Sequence, residues 1–123
     1  QRRRIWAHYH DSFQRFGANG LIELPKIPKH VTHNGHMYQL ILPDPETRSH
    51  LMQHLGNNGI RAVFHYTPLH ESSGGKKFCR VGMPLEHASS IPHRLLRLPL
   101  YPDLEEFEQI RVIECVSEFL ERL

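Results

Sequence analysis

The sequence predicts an α/β fold, a two-layer small domain of about three strands with helices packed on one face. Two observations carry that expectation. Short apolar runs at 36–42, 60–66 and 94–101, each bounded by Pro or Gly, read as strands, while apolar residues recur at helical spacing over 2–16, 46–55 and 103–122. The two kinds of segment also alternate along the chain, the order that lays helices against a sheet. At 123 residues the chain is one domain, with room for a real core but not for two.

In chain order, residues 2–16 place Ile5, Trp6, Tyr9, Phe13 and Phe16 on one side of a helix, and Gly17 and Gly20 close it. So large an aromatic face needs a partner surface, either its own sheet or another chain. Residues 18–35 form a connector in which Pro25 and Pro28 enforce extended backbone. A strand follows over 36–42, stopped by Pro43-Asp44-Pro45, and Asp44 caps the next helix, which buries Leu51, Met52 and Leu55. Asn57-Asn58-Gly59 is a turn. It opens the stretch Gly59 to His70, in which Ile60, Ala62 and Phe64 alternate with Arg61 and His65, and Pro68 ends the strand. That strand end carries His65, Tyr66 and His70, and strand ends are frequent places for a site in α/β proteins. Residues 72–75 read as a flexible loop, and Glu86 to Ser90 as a short helix limited by Pro92. The third strand covers 94–101. Asp103 caps the last helix, whose apolar face holds Phe107, Ile110, Val112, Ile113, Val116, Phe119 and Leu120.

Composition excludes several classes. A formal charge of +2 with scattered Lys and Arg gives no basic stripe for nucleic acid, and no apolar run approaches the ~18 residues of a membrane span. Cys79 and Cys115 stand far apart without metal or redox spacing, which fits a reducing cytoplasm. The 11 histidines make the net charge sensitive near neutral pH without making a metal site. His50 and His54 share a helix face but lack acidic companions, and His33 and His36 straddle a strand start, so no metal is expected. Ser72 and Ser73 lie near His70 without a nucleophile elbow, and Ser73-Gly74-Gly75-Lys76-Lys77 lacks the full phosphate-loop pattern.

Five stretches in order carry a family resemblance: Arg2-Arg3-Arg4-Ile5-Trp6 with Tyr9, Ile22-Glu23-Leu24-Pro25, Asn34-Gly35-His36-Met37-Tyr38, Ala62 to His70, and Arg94 to Tyr101. With them the chain resembles the C-terminal small domain of the DegT/DnrJ/StrS sugar aminotransferases. Within that family it is most similar to the dTDP-4-keto-6-deoxyglucose or dTDP-4-amino-4,6-dideoxygalactose transaminases. The resemblance implies the small domain of a fold-type-I enzyme that uses pyridoxal phosphate, with the large cofactor-binding domain absent from residues 1–123. None of Lys26, Lys29, Lys76 and Lys77 lies in a segment like the family's lysine loop, so the chain alone is expected to bind no cofactor and to have no catalytic residue. The resemblance further implies that His36, Tyr38, His65, Tyr66 and His70 approach the substrate side of the cleft, in a binding role. The expected function is a detached or truncated aminotransferase domain, inactive by itself. Its partners would be a large aminotransferase domain, a sugar nucleotide, or a second copy meeting the Trp6-Tyr9-Phe13 face. The alternatives are a non-catalytic sugar-nucleotide-binding or self-associating module, and one half of a split enzyme.

Overall fold

A computed structural model describes residues 1–64 and 66–123. Among them, five helices cover a two-stranded antiparallel sheet. The elements in order are α1 (Arg2–Ala18), β1 (Tyr38–Ile41), α2 (Pro45–Asn57), a 3-10 turn (Leu69–Glu71), α3 (Ser73–Phe78), α4 (Glu86–Arg94), β2 (Leu95–Leu98) and α5 (Glu106–Leu120).

The sheet pairs Tyr38 with Leu98 and Ile41 with Leu95. Tyr38, Leu40, Leu96 and Leu98 point into the core and their neighbours are only half-buried, the alternation a one-sided sheet requires. The predicted α/β class and its two layers hold, but the sheet has two strands instead of three. Residues 60–64 join it through one bridge, in which Val63 and Arg97 exchange both backbone hydrogen bonds at 3.1 and 2.7 Å. The Ala62 amide instead donates back to the Ile60 carbonyl, which bends the segment out of a ladder. Phe64 accordingly leaves the core; it is exposed, with the Arg48 guanidinium 4.9 Å above its ring. On the other edge Glu23 and Ile41 form a matching bridge.

The aromatic face of α1 finds its partner inside the domain. Ile5, Trp6, Tyr9, Phe13 and Phe16 are all buried, and Tyr38 sits against Trp6, Tyr9 and Phe13 with ring centroids 5.3, 5.3 and 6.2 Å away. Contacts of this kind add to the large apolar area that such rings remove from water. The expectation that Trp6, Tyr9 and Phe13 meet a second copy is therefore corrected: their surface is already used. Gln109 ties α5 to α1, donating through Nε2 to the Ile5 carbonyl at 2.7 Å and accepting at Oε1 from His8 at 3.1 Å.

Asp44 caps α2 as expected, accepting from the Thr47 amide at 2.7 Å and the Thr47 hydroxyl at 2.8 Å, with Pro45 at the first helical position. Those bonds hold its carboxyl below the usual carboxylate range. A depressed value means that the cap stabilises the fold above the unfolded carboxyl's titration and is lost as pH falls through the lower native one. The stability difference between the protein and Asp44→Asn is expected at neutral pH and should vanish in acid, as denaturant melts across pH would read.

Three helix expectations need correction. The N-cap of α5 is Glu105, not Asp103; Glu108 reaches back to the Glu105 amide at 3.1 Å. Its buried face runs through Val112, Cys115, Val116 and Leu120, leaving Phe107 and Ile110 exposed. Residues 73–78 form a short helix capped by Ser72, whose Oγ accepts from the Gly75 amide at 2.9 Å. The helix α4 continues past Ser90 to Arg94 with Pro92 inside it.

Between α2 and α5 lies one defect of satisfaction. His54 Nε2 is buried against Phe119, 5.7 Å between rings, with no hydrogen-bond partner among the described residues. An unmet buried polar atom costs stability, so His54→Leu is expected to stabilise the domain by about 1 kcal/mol in urea unfolding. A loss instead would show that this nitrogen has a partner in solution.

Candidate functional site

The sheet register decides which candidate residues can meet. The segment around Val63 runs antiparallel to β2 and hence parallel to β1, with Val63 and Gln39 both opposite Arg97. Going backward from Gln39 leads to His36, and going forward from Val63 leads to Tyr66 and His70. His36 and the Tyr66–His70 pair therefore lie toward opposite ends of the sheet.

His36 is exposed, its amide bonded to Asn34 Oδ1 at 3.0 Å. It lines a cleft of about 320 Å³ together with Trp6, Pro25, Ile27 and His33. Tyr38 is fully buried, and burial, with a smaller contribution from Asp11, pushes its phenol well above the ordinary value. Among the described residues its hydroxyl reaches only His10 Nδ1, at 3.5 Å. The phenol is thus a core group and presents nothing to an outside ligand. His65 lies outside the described residues.

At the other end, Tyr66 precedes the 3-10 turn and His70 lies within it. Tyr66 is 74% exposed. His70 is mostly covered, with Nε2 2.9 Å from Ser89 Oγ and 3.6 Å from Glu71 Oε1. The second carboxylate oxygen of Glu71 accepts from His93 Nε2 at 3.0 Å. This is not a nucleophile–base–acid relay. In such a relay serine and carboxylate engage different ring nitrogens, whereas here both approach Nε2. What the group offers is hydrogen bonding from a held imidazole, four residues after an exposed phenol in sequence, which suits binding more than bond making. Sequence reasoning missed Glu71, Ser89 and His93 because Ser89 lies 19 residues after His70 and His93 22 after Glu71, with no motif linking them.

A lysine that anchors a carbonyl cofactor as a Schiff base is held and desolvated, whereas Lys26, Lys29, Lys76 and Lys77 are all exposed. Among the described residues no group of three or more His, Cys, Asp or Glu could hold a metal ion, and no helix is long and apolar enough to cross a membrane.

Comparison with known proteins places this geometry. The family model described as the DegT/DnrJ/EryC1/StrS aminotransferase family matches residues 1–117. The dTDP-3-amino-3,4,6-trideoxy-alpha-D-glucose transaminase of Streptomyces venezuelae is 33% identical over 108 residues, 85% of this chain and 28% of that protein. The structure of S. venezuelae DesV in complex with a ketimine intermediate superposes on the whole chain with a TM-score of 0.85 and 29% identity, covering 32% of that chain. A DegT DnrJ EryC1 StrS aminotransferase from Brucella abortus gives 0.80 and 26%, over 96% of this chain and 30% of that one. The chain thus spans about a third of the length of these relatives. The chain belongs to the DegT/DnrJ/EryC1/StrS aminotransferase family.

Proposed function

We propose that these 123 residues are the C-terminal small domain of a cytoplasmic, pyridoxal-phosphate-dependent sugar-nucleotide aminotransferase, and that they do not transaminate alone. The observation that carries the reading is the superposition of the whole chain on about a third of DesV, combined with four lysines that are all exposed. A large domain would supply the lysine and hold the cofactor. In that assembly Tyr66 and His70, together with His65, would face the dTDP-linked 4-keto-6-deoxyhexose and hydrogen-bond its hydroxyls or phosphate oxygens. His36, at the far end of the sheet, would serve a different surface.

The test gives the purified chain pyridoxal phosphate, an amino-acid donor and dTDP-4-keto-6-deoxyglucose, alone and joined to the large domain of a relative. Amino sugar is expected only from the joined protein, and turnover by the chain alone would refute the proposal. The resemblance favours amination at C4, as in dTDP-4-amino-4,6-dideoxygalactose. The 33% identical relative is named for a 3-amino product, so the position of the new amine in the product decides between the two.

A self-associating role is favoured by one observation. Phe64, Tyr66, Leu69, Phe78, Val81 and Met83 are all exposed within a single stretch. Surfaces of this kind seldom stay uncovered, so dimers are expected by light scattering at micromolar concentration, and a clean monomer would remove this reading.

A further inference from the structure

The segment around the 3-10 turn and α3 is attached to the domain in an unusual way. Pro68 is buried at its start, but its large apolar side chains add little: Leu69 is 75% and Phe78 77% exposed. Polar side chains supply the remaining attachment. Arg48, on α2, lies over the Phe64 ring and donates through Nε to the His93 carbonyl at 3.0 Å. Ser89 and His93, both on α4, meet His70 and Glu71 at 2.9 and 3.0 Å. Arg94, next to His93 in sequence, is engaged elsewhere, with Glu23 and the Leu42 carbonyl. The Glu71 carboxylate lies between the imidazoles of His70 and His93.

We propose that Glu71, Ser89 and His93 are positioning residues. Through α4 they latch the 3-10 turn and fix the ring of His70, and with it the Tyr66 side of the segment. The binding purpose of that latch rests on the functional reading above; the latch itself does not. Carboxylate oxygens accept but do not donate, so Glu71 favours a proton on the Nε2 atom of His70, with Ser89 Oγ as the acceptor 2.9 Å away.

Two readouts on the 123-residue chain test this without any ligand: amide hydrogen exchange, and nitrogen NMR of the imidazoles. The amides of Glu71 and Ser72 donate to the Pro68 carbonyl inside the latched turn. In Glu71→Gln those two amides are expected to exchange about tenfold faster, the loss of one charge-assisted bond, while α1 and α5 keep their protection. His93→Gln should reproduce this from the other side of the contact. Ser89→Ala should move the His70 Nε2 resonance, which a merely structural role of Ser89 would not do. Unchanged exchange at the two amides in both Glu71→Gln and His93→Gln, or an unmoved His70 resonance in Ser89→Ala, overturns the proposal. Failure of Tyr66→Ala and His70→Asn to weaken sugar-nucleotide binding in a joined enzyme would overturn the functional reading and leave the latch standing.

Discussion

Tyr38→Ala is expected to cost about 3–5 kcal/mol, a large share of the roughly 5–15 kcal/mol that typically stabilises a domain. The ring sits with no exposed surface among Trp6, Tyr9 and Phe13, and it is the point at which β1 seals the aromatic face of α1. Removing it leaves a cavity that cannot collapse, because its walls belong to a helix and a sheet fixed by other contacts. Tyr38→Phe separates packing from hydrogen bonding. Among the described residues the hydroxyl has only a long contact with His10, so this variant should lose about 1 kcal/mol or less. Denaturant melts of the two variants read the contrast directly. Equal losses would mean that the hydroxyl, and not the ring, holds this position.

Gly75→Ala is expected to have the second largest effect, and a local one. A Cβ at this position would overlap the Leu69 carbonyl oxygen, a backbone atom that can move only if the 3-10 turn and α3 separate. Overpacking of this kind costs about 1–3 kcal/mol. The strain falls on a segment whose apolar groups face solvent, so it should be relieved by release of residues 69–78 without unfolding of the core. Trypsin cleavage after Lys76 or Lys77 should accelerate about tenfold or more while the thermal midpoint of the core stays nearly unchanged. A large fall in that midpoint would show that the segment and the core unfold together. Comparing Gly75→Ala with Glu71→Gln then indicates whether steric fit or the carboxylate contributes more to holding the turn.

Much of the domain was legible in the chain, wherever a local pattern and a tertiary requirement coincide. The apolar spacing of Ile5, Trp6, Tyr9, Phe13 and Phe16 both makes a helix and names its buried face. Asp44 before Pro45, three residues ahead of Thr47, marks the start of α2 because the cap bond is made within one turn. Family membership was legible as well, in five ordered stretches whose residue types include core positions such as Trp6, Tyr9 and Tyr38. Other features were settled by contacts between distant segments. Ile60 to Phe64 alternates like a strand, yet pairing takes a neighbour with free donors and acceptors in register, and only Val63 finds one. Whether the aromatic face of α1 would meet another chain or its own sheet could not be read from the helix, since periodicity says which side is apolar and nothing of what covers it. Tyr38 and Tyr66 are the same residue type in segments that both read as strands, one with no exposed surface and the other mostly exposed, because only the sheet register and the placement of α1 separate them. The meeting of Glu71 with His93 is of the same kind: residues 22 apart in sequence come together only when α4 folds against α2 and brings its polar side to the turn.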